Sequence, residues 1–390
     1  MKKVSAKTLI FGAFLESVGS SFIWPINTIF IHDYLHKSLA VAGMVLFFNS
    51  ILTFAGNFMG GKLFDRWGGH KTVIVSTAIG LLALVGLIFN HSWPAYPILL
   101  PILGFGVGSA FTVINSFAAQ IDEVDRYKLF NAIYVGTNLG NAIGTALGGY
   151  IAGIQMTLVF VANFFFLTLF FLIAIFWYNN REAPKAKSER IKVEKTKLHP
   201  GVGLMALFLG ASWFSYSQWS SNISAHLTNL GIPVSKYSLL WTINAVVIVI
   251  VLPVINRLVE NKEWFKRIQI PLGVILFIVA FAAIINAKTY IYFVIGMVVL
   301  TLGETLVYPG IPAMVSESTP KQEAGRYQSL LSMSSTFARA IGPLLGGLVV
   351  ENSSYNSLYF VAIFVLVVSL FILRVGHREL LNGQKNTFKA

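Results

Sequence analysis

The 29 Lys and Arg residues of this 390-residue chain are distributed unevenly among the loops that separate twelve long apolar stretches. Counted in chain order, 25 of them fall on the side that holds both termini, and only Lys37, Lys236 and Lys288 fall on the other. Cationic loops resist translocation, so the basic side is predicted to be cytoplasmic. A membrane-spanning helix needs about 20 apolar residues. We therefore predict an all-α membrane protein with spans at 7–33, 39–61, 72–92, 96–119, 128–152, 156–178, 202–228, 237–259, 265–287, 289–314, 327–350 and 355–376.

Composition excludes several other classes of protein. Apolar residues make up 55% of the chain and charged residues 12%, which leaves no room for a sizeable soluble domain. The net charge of +13 lies in the loops, where anionic lipid explains it better than nucleic acid does. There is no cysteine, and the seven His residues show no metal-ligand spacing. No catalytic cluster or nucleotide motif is visible. We predict a protein without enzymatic activity, cofactor or metal.

The chain divides into two similar halves. A polar stretch with seven basic and three acidic residues is interpreted as a cytoplasmic linker, which gives six-span bundles at 1–178 and 201–390 around a linker at 179–200. Glu123-x-x-Arg126-Tyr127 recurs 200 positions later as Glu323-x-x-Arg326-Tyr327. Gly144-Thr145-x-x-Gly148-Gly149 recurs 198 positions later as Gly342-Pro343-x-x-Gly346-Gly347. Glycine pairs alone could reflect close helix packing, but two patterns at nearly one offset indicate a duplicated transporter architecture.

The loop between the second and third spans carries the most specific motif, Gly61-Lys62-Leu63-Phe64-Asp65-Arg66-Trp67-Gly68-Gly69-His70-Lys71. It resembles the Gly-x-Leu-Ala-Asp-Arg-x-Gly-Arg-Lys signature of the major facilitator superfamily and departs from it at Gly69 and His70. The resemblance implies twelve helices in two six-helix bundles that work by alternating access, and a conformational latch at Gly61, Asp65, Arg66 and Gly68. Gly61 is expected to allow tight helix contact, and Gly68 a turn with positive φ.

Further patterns resemble the drug–proton antiporters of this superfamily. The fifth span carries Gly140-x-x-x-Gly144-Thr145-x-x-Gly148-Gly149, where Thr145 replaces the usual Pro, and the second half keeps Pro343. These glycines and this proline are expected to pack and bend helices. The first span has Gly19 followed by Pro25, while Thr28 stands where a second Pro is expected. The arginine that many proton-coupled members carry in the fourth span is missing from 101–108.

Three charged residues lie clearly within spans, Glu16, Glu304 and Arg339. A charge in hydrocarbon costs about 2.5–3.5 kcal/mol or more on insertion scales, and removal from water favours the neutral form of a carboxyl group. We therefore predict that Glu16 and Glu304 carry protons and that Arg339 tunes Glu304. Two alternatives stay open for Arg339: a static salt bridge with Glu304, or satisfaction of backbone carbonyls freed beside Pro343.

The resemblance implies that spans one, four, seven and ten line a substrate cavity. Their aromatic and amide residues suit bulky lipophilic cations and are Trp24, Asn27, Asn115, Tyr216, Gln218, Trp219, Asn222 and Tyr308. We predict proton-coupled efflux of amphipathic or cationic compounds by a monomer in the cell membrane. Its expected partners are a small-molecule substrate, protons and membrane lipid, without nucleic acid. The alternative is transport of a small anionic or sugar-like metabolite that Arg339 contacts.

Overall fold

The computed structural model describes residues 4–121, 126–178, 199–318 and 324–387, and these are helical with short connections. This confirms the predicted all-α class. The α-helices are α1 Ala6–Ser21, α2 Asn27–Ile29, α3 Leu39–Trp67, α4 Gly69–Phe89, α5 Ala95–Gln120, α6 Arg126–Ala152, α7 Met156–Trp177, α8 Pro200–Ser220, α9 Asn222–Asn229, α10 Val234–Asn261, α11 Glu263–Ile284, α12 Tyr290–Ser318, α13 Ala324–Asn352 and α14 Tyr355–Thr387.

Two pairs of these helices form single spans, which gives the twelve segments of the predicted architecture. A 3₁₀ turn at Trp24–Ile26 joins α1 to α2, and a π-helix at Phe30–Tyr34 completes the first span. Ser221, with φ −124° and ψ −87°, interrupts the seventh span between α8 and α9. Among the described residues, ten segments are long and apolar enough to cross a membrane. The other two, α6 and α8–α9, are rich in Asn, Ser and Thr.

The contacts between helices divide the chain into two units that have several helix pairings in common. Unit 1 comprises Met1–Glu189 and Leu227–Ala245, and unit 2 comprises Arg190–His226 and Val246–Ala390. In unit 1, α1 packs against α6 and α7, and α4 packs against α5 and α7. In unit 2, α8 packs against α13 and α14, and α11 packs against α12 and α14. The equivalent helices follow one another in the same order, as a duplication requires. Most of the predicted linker lies outside the described residues.

The breaks in the first and seventh spans occupy equivalent places in this repeat. Ser21 ends α1 and Ser220 ends α8, 199 positions later, close to the offset that separates the repeated sequence motifs. Interrupted hydrophobic segments at corresponding positions of two halves point to the substrate-handling part of a transporter. A π-helix such as Phe30–Tyr34 is likewise frequent at functional sites.

Glycines on α6 and α13 bring neighbouring helices into close contact. A Cβ atom on Gly140 would lie 2.6 Å from the carbonyl oxygen of Phe14, and one on Gly148 would lie 2.6 Å from that of Phe22. Gly144 directly abuts the carbonyl of Val18 between them. The remaining motif positions follow the same pattern: Gly149 abuts Ser238, Gly342 abuts Ser217, Gly346 abuts Gln218, and Gly347 is buried in α13.

Substituting Gly144 by Ala is expected to destabilise unit 1. The added methyl group would collide with the Val18 carbonyl and would lie 2.9 Å from Cβ of Ser21, so α1 and α6 would have to separate. Overpacking of this kind costs about 1–3 kcal/mol. The midpoint of thermal unfolding in detergent measures the effect, with Gly153→Ala as the control because its Cβ would meet nothing closer than 3.4 Å. Equal midpoints for both variants would contradict this packing role.

Candidate substrate and proton sites

Glu304 lies on α12 and is held by the hydroxyl group of Tyr216 on α8. The Tyr216 hydroxyl donates a hydrogen bond of 2.8 Å to Oε2 of Glu304. Tyr216 is 7% exposed, and Glu304 is partly buried. Both side chains make additional contacts. The predicted proton carrier of the tenth span therefore has a direct partner in the seventh span.

An aromatic cluster surrounds this acid. Trp213 on α8 stacks on Tyr308 of α12, with ring centroids 4.0 Å apart and planes within 4° of parallel. Tyr216 packs edge-on against both, at 5.2 Å from Trp213 and 5.6 Å from Tyr308. Phe277 of α11 closes one side, 5.9 Å from Tyr308. The Tyr308 hydroxyl is buried and has no hydrogen-bond partner among the described residues. The cluster thus combines stacked aromatic surface with a carboxyl group.

Arg339 reaches the same cluster from α13. Its guanidinium carbon lies 4.7 Å from the centroid of the Trp213 ring, in cation–π geometry. Tyr308 already covers one face of Trp213, so the guanidinium covers the other. Arg339 is nevertheless exposed, which leaves this cation accessible. We name the set Trp213, Tyr216, Glu304, Tyr308 and Arg339 the α8–α12 cluster.

Three residues expected to line the cavity are buried within unit 2 instead. Nε2 of Gln218 donates to the Gly342 carbonyl at 3.0 Å, and Nδ2 of Asn222 donates to the Pro343 carbonyl at 3.2 Å. Asn222 also donates to Oε1 of Gln218 at 2.7 Å. Trp219 is fully buried and packs against Phe281. In this conformation Gln218 and Asn222 join the seventh span to α13 by donating to its backbone carbonyls.

The predicted cavity residues of unit 1 are spread over separate places. Trp24 is 47% exposed and packs edge-on against Trp241 of the same unit at 4.8 Å. Asn27 is buried and accepts a hydrogen bond of 2.5 Å from the Tyr96 hydroxyl. Asn115 on α5 is partly buried and donates to the carbonyl of Phe111 at 3.0 Å.

Glu16 lies on α1, 3% exposed, on the face that packs against α7. The glycine one turn earlier, Gly12, abuts the Tyr178 side chain. The next glycine on that face, Gly19, faces Asn163, whose Oδ1 atom would lie 3.2 Å from an added Cβ. The two intramembrane acids therefore belong to different units and to different surroundings: Glu304 to an accessible aromatic cluster, and Glu16 to a closed helix seam.

In the loop motif, the turn expected at Gly68 is confirmed, whereas the tight helix contact expected at Gly61 lies one residue earlier. Gly68 ends α3 with φ 82°, a left-handed conformation that favours glycine. The tight helix contact lies at Gly60, whose Cβ would be 2.7 Å from the Ser109 carbonyl oxygen, whereas Gly61 would make an ordinary contact of 3.7 Å with Thr112. The contact needs the face of α3 that turns toward α5, and Gly61 is rotated about 100° away from it.

Most of the other charged residues in the sequence motifs lie outside the part of the chain that the structure describes. Arg66 is exposed at the end of α3, and the Asp65 side chain lies outside the described part. Glu123 and Glu323 fall outside the described residues, as do the side chains of Arg126 and Arg326.

Comparison with known proteins fixes the family. The model of the Major Facilitator Superfamily matches residues 9–285 and 202–389. The chain belongs to this superfamily. It is a multi-pass membrane transporter and not an enzyme. Superfamily membership agrees with the twelve-helix architecture and with the signature motif between the second and third spans.

The related proteins and solved structures differ in how similar they are to this chain. The chain is 39% identical to the uncharacterized MFS-type transporter YttB of Bacillus subtilis (strain 168), over 93% of each chain. It is 22% identical to the multi-drug resistance efflux pump PmrA of Streptococcus pneumoniae serotype 4, over 95% of each. Among solved structures, the nucleoside transporter NupG aligns with a TM-score of 0.77 at 14% identity, over 95% of this chain and 99% of that one. This last likeness shows the fold alone.

Proposed function

We propose that this transporter exports amphipathic, mainly cationic compounds in exchange for protons. The observation that carries the proposal is the α8–α12 cluster, in which an acid, Glu304, stands beside parallel aromatic rings. Flat lipophilic cations are attracted by aromatic faces and by a negative charge, and a pocket needs few polar groups to orient a ligand. The likeness to proteins named as multi-drug resistance efflux pumps, such as PmrA, supports export of drug-like compounds.

Coupling follows from the competition of two cations for one carboxylate. Glu304 either holds a proton or counters the charge of a bound substrate, so loading of one releases the other. Tyr216 suits this exchange because a hydroxyl group donates to a carboxylate and accepts from a carboxylic acid. The Tyr216–Glu304 hydrogen bond joins the seventh span to the tenth, so a change in protonation alters a contact between helices. We propose that this contact transmits proton binding to the conformational exchange that the Asp65 motif controls.

Arg339 distinguishes the two substrate classes. Its guanidinium covers one face of Trp213, so a cationic substrate has to displace it, whereas a small anionic metabolite would bind it directly. The second class is a specific alternative because Arg339 is accessible and beside stacked rings, an arrangement that also suits a nucleotide-like or other anionic compound.

Replacing Arg339 by Gln is expected to raise the affinity for tetraphenylphosphonium by several-fold. The guanidinium of Arg339 no longer competes with the substrate for the Trp213 ring, and a cation–π contact is worth about 0.5–2 kcal/mol. Calorimetric titration of the purified protein measures this affinity, with Arg257→Gln on α10 as an exposed control. A variant that loses cation binding altogether would contradict the proposal. Loss of binding of an anionic compound that the wild type does bind would favour the alternative.

A further inference from the structure

One exposed stripe of α14 changes from apolar to basic along its length. Phe364, Val367, Phe371, Arg374 and Arg378 follow the spacing i, i+3, i+7, i+10, i+14 and therefore share one face of the helix. All five are exposed, and Phe371 has 70% of its surface accessible. The stripe presents apolar side chains first and two guanidinium groups last. A phospholipid has the same order of polarity, from its acyl chains to its phosphate.

The first of these arginines lies where the hydrocarbon core of a membrane ends. Arg374 is 19 residues from Tyr355 at the start of α14, which corresponds to about 28 Å at about 1.5 Å per residue. The hydrocarbon core of a bilayer is about 30 Å thick. Arg374 and, one turn further along, Arg378 therefore reach the level of the lipid headgroups.

A third arginine reaches this level from α11, which packs beside α14. Phe281 near the end of α11 contacts Tyr359 near the start of α14, with ring centroids 6.3 Å apart, so the two helices run antiparallel. Arg267 lies 14 residues before Phe281, and Arg374 lies 15 residues after Tyr359. Both separations correspond to about 21–22 Å along a helix, so Arg267 and Arg374 lie at a similar depth.

Exposed apolar residues also accompany Arg267 on α11. Trp264, Ile268 and Ile275 follow the spacing i, i+4, i+11 and are exposed, Trp264 by 61%. Tryptophan is enriched at the boundary between membrane and water. We name Arg267, Arg374 and Arg378 the basic patch. It lies at the headgroup end of an apolar surface to which two neighbouring helices contribute.

Glycines hold the basic end of α14 against α8. A Cβ atom on Gly376 would lie 2.5 Å from Cε of Met205 on α8, and one on Gly201 would lie 2.9 Å from Cγ of Leu380. The buried face of α14 is thus fixed at the level of the patch, and its two arginines lie on the exposed face. Within the part of the chain that the structure describes, these two arginines form no ion pair. Their guanidinium groups are therefore available to a phosphate.

We propose that the basic patch binds the headgroup of an anionic phospholipid, whose acyl chains lie along the apolar stripe of α14. Arginine pairs with phosphate through two parallel hydrogen bonds, and cations beside a span attract anionic lipid. The three arginines outnumber the acids nearest to them in sequence, Glu263 and Glu379, so a headgroup with a net negative charge is favoured over a zwitterionic one. The bound lipid would stabilise the contact between the end of α14 and the first turns of α8. The inference is independent of the substrate and of the coupling ion.

Native mass spectrometry of the purified full chain tests this site by titration with phosphatidylglycerol, with phosphatidylcholine of the same acyl chains as the zwitterionic reference. A cation near the membrane surface contributes about fivefold to the affinity for anionic lipid. The double variant Arg374→Gln/Arg378→Gln is therefore expected to bind its tightest phosphatidylglycerol about twentyfold more weakly, with unchanged binding of phosphatidylcholine. The matched control is Lys7→Gln/Lys62→Gln, which removes the same charge from exposed positions of unit 1 and should bind as the wild type does.

Three results would contradict the site. The first is an equal loss of phosphatidylglycerol from the arginine variant and the lysine variant, which would indicate general attraction between lipid and the basic side of the protein. The second is equal affinity of the wild type for the two lipids. The third is displacement of phosphatidylglycerol by soluble glycerol 3-phosphate, since a lipid site requires the acyl chains. Should the double variant not purify, Arg374→Gln and Arg378→Gln each have to weaken phosphatidylglycerol binding by about fivefold, and two unchanged affinities would overturn the proposal.

Discussion

Replacing Glu304 by Gln is expected to abolish uphill export driven by a pH gradient while preserving exchange of a neutral compound down its own gradient. Gln resembles the protonated acid in shape and can still pair with the Tyr216 hydroxyl, so the helix contact survives. It cannot release a proton, and coupling is lost. Cationic compounds should also bind less tightly, because the countercharge is removed together with the titration.

The control for this prediction is Glu260→Gln, the same change at an exposed position of α10. Expression, binding and gradient-driven transport are to be measured on one preparation of each variant. Full uphill transport by a stable Glu304→Gln protein would remove this residue from the mechanism. A static bridge between Glu304 and Arg339 predicts a different result: loss of the acid would leave the Arg339 cation without its countercharge inside a span, which would lower stability and expression.

Replacing Trp213 by Ala is expected to weaken binding of flat lipophilic cations by about tenfold, and binding of small polar solutes much less. Trp213 stacks on Tyr308 and supports Arg339, so the change removes a cation–π surface and frees its neighbours. A contact of this type contributes about 0.5–2 kcal/mol. Titration with tetraphenylphosphonium measures the loss.

Two other tryptophans serve as controls for that variant. Trp264→Ala alters an exposed ring on α11 and should leave affinity unchanged. Trp219→Ala lies on the same helix as Trp213 but is fully buried, so it should lower the free energy of unfolding by about 3–5 kcal/mol. If Trp213→Ala leaves the cation affinity unchanged, Trp213 contributes to packing and not to substrate binding.

The helix count, the duplication and the family could be predicted because they depend on features that a single sequence displays directly. Apolar length defines a span, and the distribution of Lys and Arg orders the loops. The recurrence of Gly144-Thr145 as Gly342-Pro343 marks equivalent helices without any structure. These signals are local or repeat at a fixed offset, so they can be recognised without knowledge of tertiary contacts.

The facing direction of side chains within a span was harder to predict. The apolar and polar residues of α8 are spread evenly around its axis, so its pattern does not separate the face with Trp213 and Tyr216 from the face with Gln218 and Trp219. Trp213 was therefore missed, although it precedes Tyr216 by three residues and shares its face. Glu16 has the same ambiguity: its sequence position gives its depth but not the α7 seam that it faces.

The central claim is that substrate and protons move in opposite directions through this transporter. The direct test is substrate-dependent proton flux in proteoliposomes that contain the purified protein, with an imposed pH gradient of each sign and tetraphenylphosphonium as substrate. Glu304→Gln proteoliposomes provide the background. We predict that substrate gradients drive protons in the opposite direction, that reversing the pH gradient reverses substrate movement, and that the variant shows neither effect. Substrate movement that is unaffected by the sign of the pH gradient, or that carries protons in the same direction, would contradict the account.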